Sequence, residues 1–249
     1  MTALFAGLVT FVFTTILTVA GVGAAFILIP VFLALGIEVH TAMATALLLN
    51  AVAMSVASVR FIRNRLVVWP VAVPVLLVAS ALSPVGAWVS QGLNRTVLLW
   101  AFVGFLLFAA GMMLLFRPRS RVQEAAIGLL VGVGVVVGCA AGFIGGLLGV
   151  GGGNIVVPAL VALGFEPKKA SATTSFVVIF PSLTGFLAHA SLTGIQLPLL
   201  AWTVTGSAAG ALLGSWLMTD RLRAPQVKTI IGLVLLGIAA TMAWGLLFR

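Results

Sequence analysis

A chain of 249 residues, 62% hydrophobic and 7% charged with a mean hydropathy of +1.31, carries more apolar surface than one water-soluble core could bury. It reads as an all-α, polytopic integral membrane protein. A net charge of +9 would suggest nucleic acid in a soluble protein, but here Lys and Arg stand singly or in threes between apolar stretches. There they set orientation in a bilayer, and no nucleic-acid partner is expected.

In chain order the apolar stretches run about 2–22, 25–37, 41–59, 66–90, 95–116, 125–148, 154–165, 170–188, 195–219 and 226–248. The stretches 25–37 and 154–165 are short, and both follow glycine clusters. The first stretch lacks a positively charged leader and a small-residue cleavage site, so it is expected to be a mature span and not a signal peptide. Cys139 lies inside an apolar stretch, can form no internal disulfide and says nothing about redox compartment.

The chain repeats itself. GVGAAFILIPVFLALGIEVHTAMATALLLN, from Gly21, aligns without a gap on GVGGGNIVVPALVALGFEPKKASATTSFVV, from Gly149, with 12 identities in 30 positions. At the same offset of 128, Pro70 falls on Pro198, Gly86 on Gly214, Trp88 on Trp216, Arg95 on Arg223 and Gly104 on Gly232. The reading is two membrane repeats, 1–120 and 121–249.

Charge decides how the halves lie. With the short segments counted as crossings, each half has five, and alternate loops carry 11 Lys and Arg residues on one side against 2 on the other. With four crossings per half the same residues divide 7 against 6, which is no bias. The five-plus-five arrangement is an inverted repeat with both termini outside the cytoplasm. Homologous loops exchange their charge accordingly: RFIRNR in the first half stands opposite LAHASL in the second, and TDRLRAPQVK opposite QGLNRT. Parity leaves open whether a short segment spans fully or folds back on its predecessor as a hairpin. At ~1.5 Å per residue a 13-residue helix covers about 20 Å of a roughly 30 Å core.

A helix broken inside a membrane is tolerated only where it lines a cavity or is buried in protein. In GVGGGNIVVP the glycines allow the chain to turn, and Asn154 can cap a short helix whose N-terminal N–H groups face the cavity, a geometry suited to anions. Neither a P-loop nor a dinucleotide loop fits, because Asn-Ile follows the last glycine. The bland alternative is close helix packing by small residues. Paired interruptions at matching repeat positions favour a transporter site instead. The candidate substrate-binding residues are Gly23, Gly151, Gly152, Gly153, Asn154, Thr45, Asn50, Thr173 and Thr174, with Asn154, Thr173 and Thr174 expected together. Ser171 and Ser175 share the Ser/Thr-rich run, while Ser182 and Thr184 read better as interhelical contacts.

The four acids, Glu38, Glu124, Glu166 and Asp220, fall in expected loops, so proton coupling through a buried carboxylate is not readable. Glu38 and Glu166 are repeat mates with an expected helix-end role, and His40 and His189 lie near expected membrane surfaces. No metal site, cofactor or catalytic role is expected: the chain lacks HExxH, an intramembrane aspartate pair and GxSxG.

The duplicated glycine cluster, followed by VVPALVALGF and a Ser/Thr-rich helix, resembles the sulfite exporter TauE/SafE family, also called the toluenesulfonate uptake permeases. The GxGGGxxxVP form is intact at Gly149–Pro158, whereas Ala24 and Ala25 replace two glycines at Gly21–Pro30. The resemblance implies an inner-membrane carrier of sulfite or organosulfonates. Joined to the residues, it suggests an anion held at half-helix N-termini near the midplane, with alternating access. An anion channel and a non-transporting membrane interaction protein are the alternatives, and a homodimer is compatible with either.

Overall fold

A computed structural model describes residues 2–34, 37, 39–90, 95–115, 126–148, 153–190 and 197–247. Among them the chain forms α1 (Thr2–Ala20), α2 (Ala25–Ala34), α3 (Val39–Arg63), α4 (Trp69–Ser90), α5 (Arg95–Leu115), α6 (Ile127–Leu148), α7 (Gly153–Ala162), α8 (Pro167–Ala190), α9 (Leu197–Trp216) and α10 (Ala224–Leu247). A π-helical turn, Leu217–Arg221, extends α9, and no strand occurs among the described residues. The segments Ala44–Arg63, Ile127–Ile144 and Ala224–Leu247 are long and apolar enough to cross a membrane, and shorter apolar helices accompany them. The two helices that follow the glycine clusters, α2 and α7, have 10 residues each, about 15 Å of helix.

The bilayer as solvent is legible in α1. Leu4, Leu8, Val12 and Ile16 form its exposed stripe, while Ala6, Thr10, Thr14 and Thr18 are buried. Spacing by four puts each set on one face, with the large apolar side chains turned outward and the small and hydroxylated ones inward.

The repeat recurs in the helices. The short pair α2 and α7 begin and end 128 residues apart, and α3 and α8, like α4 and α9, begin 128 apart. Their caps correspond too: Ile37 N–H bonds to Phe32 O and Phe165 N–H to Leu160 O, each at 3.0 Å. In the second case Gly164, at φ +93°, completes a helix-ending turn. The expected division at 120/121 falls outside the described residues.

Packing interleaves the two halves. The most extensive helix contacts are α4 with α6 and α1 with α9, each joining a helix of one half to a helix of the other. Glycines spaced by four make both possible. On α9, a Cβ added to Gly210 would lie 2.6 Å from Phe11 O, and Gly206 and Gly214 press on the backbones of Gly7 and Thr15. On α6, a Cβ at Gly142 would stand 2.6 Å from Ala79 Cα, and at Gly134 and Gly138 it would stand 2.9 Å from Val71 O and 3.0 Å from Val75 Cα. Backbones this close gain dispersion contact over their whole length.

These contacts also fix direction. Residue numbers rise together along α1 and α9, and along α4 and α6, so each pair is parallel. By contrast, α3 and α8 are antiparallel: Asn50 bonds to Ser182, while Arg60 near the end of α3 and Lys168 at the start of α8 both reach Thr219. Repeat mates that run oppositely are an inverted repeat. Given that α4 and α6 are parallel, α8 opposes α3 only if α7 reverses the chain between α6 and α8, which is the parity of five segments per half.

At the end of the bundle where α3 stops, Arg60 pairs with Asp220 and donates through Nε to Thr219 Oγ1 at 2.9 Å. Lys168 Nζ donates to Thr219 O at 3.1 Å, and the Arg221 guanidinium lies 5.0 Å from the Trp216 ring centroid. With Arg63 and Arg65 also here, this basic end is expected to face the cytoplasm. A cysteine replacing Arg63 should then resist an impermeant thiol reagent in intact cells and react after permeabilisation. Labelling from outside would reverse the assigned orientation.

Candidate functional site

The site begins with an interruption in α1–α2. After Ala20 the chain turns through Gly21 at φ +71° and Gly23 at φ +88°, left-handed conformations that side-chain-bearing residues rarely adopt. Neither position has room for more than hydrogen: a Cβ at Gly21 would strike Ser171, and one at Gly23 would sit 2.8 Å from Asn50 Oδ1. Backbone groups freed by the interruption need partners in a medium without water. Ser171 Oγ, from α8, donates to Val19 O at 2.9 Å, and Ala24 N–H donates to Asn50 Oδ1 at 2.6 Å. Asn50 Nδ2 in turn donates to Ser182 Oγ at 2.6 Å. Residues of α3 and α8 thus cap both sides of the first break.

The second break lies against the first. Gly153, the first residue of α7, is buried, and a Cβ added to it would lie 2.8 Å from Val22 O and 3.0 Å from Val178 Cγ2. Val178 is the repeat mate of Asn50. Where the first break meets the Asn50 amide, Gly153 thus meets a branched apolar side chain. Asn154 follows, 2% exposed, and its Oδ1 has no hydrogen-bond partner. The remainder of α7 is buried almost all round, with Ile155, Val156, Val157, Leu160 and Val161 in the main apolar core. Two helix N-termini, those of α2 and α7, consequently converge inside the bundle, each with roughly half a positive charge. Arg60 is ten residues along α3 from Asn50, about 15 Å away along the helix.

Of the residues expected from the sequence, Gly23, Asn50, Gly153 and Asn154 belong to this junction. Gly151 and Gly152 lie outside the described residues. Thr45 is 1% exposed with an unpartnered Oγ1, but five positions from Asn50 place it about 140° around α3. Thr173 and Thr174 are occupied elsewhere: Val68 N–H donates to Thr173 Oγ1 at 3.0 Å, near the start of α4, and Thr174 Oγ1 donates to Ala170 O at 2.9 Å within its own helix. They stand roughly 13 Å along α8 from Ser182. The sequence reading preferred interhelical contact for Ser182, and it is the partner of Asn50. The inverted repeat makes mates α3 and α8 run in opposite directions, but no signal in the sequence says that they touch.

Gly23→Ala should cost about 1–3 kcal/mol, because a left-handed backbone and a crowded Cβ act together. Gly111→Ala, with nothing within 4 Å of the added carbon, should cost none. Thermal unfolding of both purified variants checks the difference.

The geometry defines an all-α membrane protein built as an inverted repeat, with two interrupted helices meeting inside it. The family model described as Sulfite exporter TauE/SafE matches residues 6–242, and the chain belongs to that family. It is 29% identical over 167 residues to "Probable membrane transporter protein YunE" of Bacillus subtilis (strain 168), covering 60% of this chain and 59% of that protein. To "Probable membrane transporter protein YfcA" of Escherichia coli (strain K12) it is 36% identical over 115 residues, 43% of this chain and 42% of that one. With "Sulfite exporter TauE/SafE family protein 1" of Arabidopsis thaliana it shares 41% identity over 69 residues, 28% of this chain and 14% of the plant protein. The matched part is thus less than two thirds of each of these relatives. No solved structure matches the chain.

Proposed function

We propose that this protein is a secondary transporter of sulfur-containing oxyanions, sulfite or organosulfonates, in a bacterial or archaeal inner membrane. The observation that carries the reading is the convergence of the α2 and α7 N-termini beside the buried Asn154, whose Oδ1 has no hydrogen-bond partner. Two like helix ends repel, and an anion between them turns that repulsion into attraction. The Asn154 amide can rotate to offer Nδ2 to an oxyanion, since its two ends differ only in which hydrogen bonds they make. The name of the family supplies the sulfur.

For alternating access, the inverted repeat provides two related arrangements of one site. Repeats 1–120 and 121–249 cannot serve as the two moving bodies, because that motion would tear α1 from α9 and α4 from α6 along their glycine contacts. The bodies that slide are the pairs α1–α9 and α4–α6, with α3 and α8 between them. Uptake into proteoliposomes, measured for sulfite, thiosulfate, sulfonates and carboxylates, tests the proposal. Saturable movement of the sulfur oxyanions is expected, and movement of carboxylates alone would overturn the substrate assignment.

A further inference from the structure

We infer that Arg60, Lys168 and the π-helical turn Leu217–Arg221 form a latch that holds the basic end of the bundle shut, and that the Arg60–Asp220 ion pair must break before this end opens to the site. The inference rests on the transporter reading above. A π-helical turn is wider than an α-helical one, and such turns concentrate at functional positions. Here the Leu222 N–H closes the turn on Leu217 O at 2.8 Å. Two other helices fasten onto its middle. From α3, Arg60 donates through Nε to Thr219 Oγ1 and pairs with the Asp220 carboxylate. From α8, Lys168 Nζ donates to Thr219 O. The turn is anchored in turn to α9, where Thr219 Oγ1 donates to Ser215 O at 2.8 Å. In the sliding motion α3 and α8 stand between the two pairs, and α9 belongs to one of them. Parting α3 and α8 from α9 at this end therefore undoes these bonds.

The turn also reaches the site. Met218, one of its five residues, is buried with its Sδ 3.4 Å from Ser171 Oγ. The same Oγ donates to Val19 O at 2.9 Å, and Ser171 is the residue against which Gly21 is pressed. The latch thus touches the side chain that caps the first break. Behind the ion pair Ser58, Ser171 and Met218 are all buried, so this end is shut.

The opposite end is built differently. In an inverted repeat the mates of these residues fall there. They are Ala188 for Arg60, His40 for Lys168, and Gln91 and Gly92 for Thr219 and Asp220, with no carboxylate and no arginine among them. The Arg60–Asp220 pair has no counterpart at its mate positions. Salt, which screens half-exposed charges, acts on the pair at the basic end.

The test uses the full chain in lipid nanodiscs, where an impermeant thiol reagent reaches both faces. Cys139→Ala removes the single native cysteine, and Ser58→Cys places one behind the latch. Asp220→Asn should speed labelling at position 58 about fivefold, the upper range for a half-exposed ion pair. Arg60→Gln should speed it at least as much, and the double variant should label no faster than Arg60→Gln alone, because one pair breaks only once. Salt near 1 M, where the screening length is about 3 Å, should speed labelling when the pair is intact and leave the Asp220→Asn variant unchanged. Thr14→Cys, in the α1–α9 contact that the motion keeps whole, should label slowly throughout. Neither Thr14 nor Ser58 has a hydrogen-bond partner to lose on replacement. Unchanged labelling at position 58 would overturn the latch. So would equal speeding at 58 and 14, because it would mean that the pair merely holds the fold together. Labelling needs no substrate, so uptake of sulfur oxyanions by the same variants is a separate readout. Faster labelling in a chain that moves none of them would leave the latch standing and remove the substrate assignment.

Discussion

Asn154→Asp should weaken anion binding on the order of a hundredfold. The amide of Asn154 is buried beside the start of α7 and its oxygen accepts no hydrogen bond, so a carboxylate placed there begins with no hydrogen bond to that oxygen. Two like charges about 5 Å apart at an effective dielectric near 20 repel by roughly 3 kcal/mol. Each 1.4 kcal/mol is about tenfold in affinity. Asn154→Ser keeps a small polar group at the helix start and should cost much less. The sign with pH is fixed: the Asp variant is the weaker binder when its new carboxyl is ionised, and acid that protonates it brings the two variants together. Calorimetric titration of sulfite or a sulfonate at two pH values reads this directly. Equal affinity in the Asp variant would mean that the anion does not sit at the α7 N-terminus.

Much of the architecture was legible because the constraint behind it is simple. A chain this apolar must close its backbone hydrogen bonds in helices, and the offset of 128 relates the bounds of α2 and α7 to the residue. The positive-inside count gave the same parity as the antiparallel run of α3 and α8, since both follow from the number of times the chain reverses. The partners of each helix were not legible. Gly206, Gly210 and Gly214 announce a close approach but not to which helix, and α1 is brought to them only by the fold as a whole.

The site was legible where it depends on backbone and obscure where it depends on rotation. Gly23 and Gly153 follow from the interruption itself, and Asn154 from its place just after the glycines. Thr173 and Thr174 lie in the same Ser/Thr-rich run, yet a hydroxyl on a helix can turn to a carbonyl four residues back, as Thr174 does, or cap a neighbouring helix, as Thr173 does. Composition cannot separate those uses from ligand contact. The asymmetry between halves was written in the alignment, with Asn50 opposite Val178 and Phe26 opposite Asn154. Its meaning needed the contacts, which show the first break capped from α3 and Gly153 set against Val178.

Asn50→Ala should destabilise the protein by about 2–4 kcal/mol, more than any other single polar truncation at the junction. Its Oδ1 accepts the Ala24 N–H and its Nδ2 donates to Ser182, so truncation leaves two groups unpaired in a region without water. Ser182→Ala removes only the second bond and should cost less, about 1–2 kcal/mol. If both losses act through one network, the double variant should cost less than the two single variants added, with a coupling of about 0.5–3 kcal/mol. Asn50→Asp keeps an acceptor for Ala24, and Ser182 can reverse its hydroxyl to donate, so this variant should fold better than Asn50→Ala. Its new charge nevertheless lies beside the converging helix ends, where it would compete with the substrate. Asn50→Asp should therefore lose anion binding while retaining most of the fold, and Asn50→Ala should lose the fold first. Unfolding curves and anion titrations on the same preparations separate the two effects. Strict additivity of Asn50→Ala and Ser182→Ala would show that Asn50 holds the Ala24 N–H without help from α8.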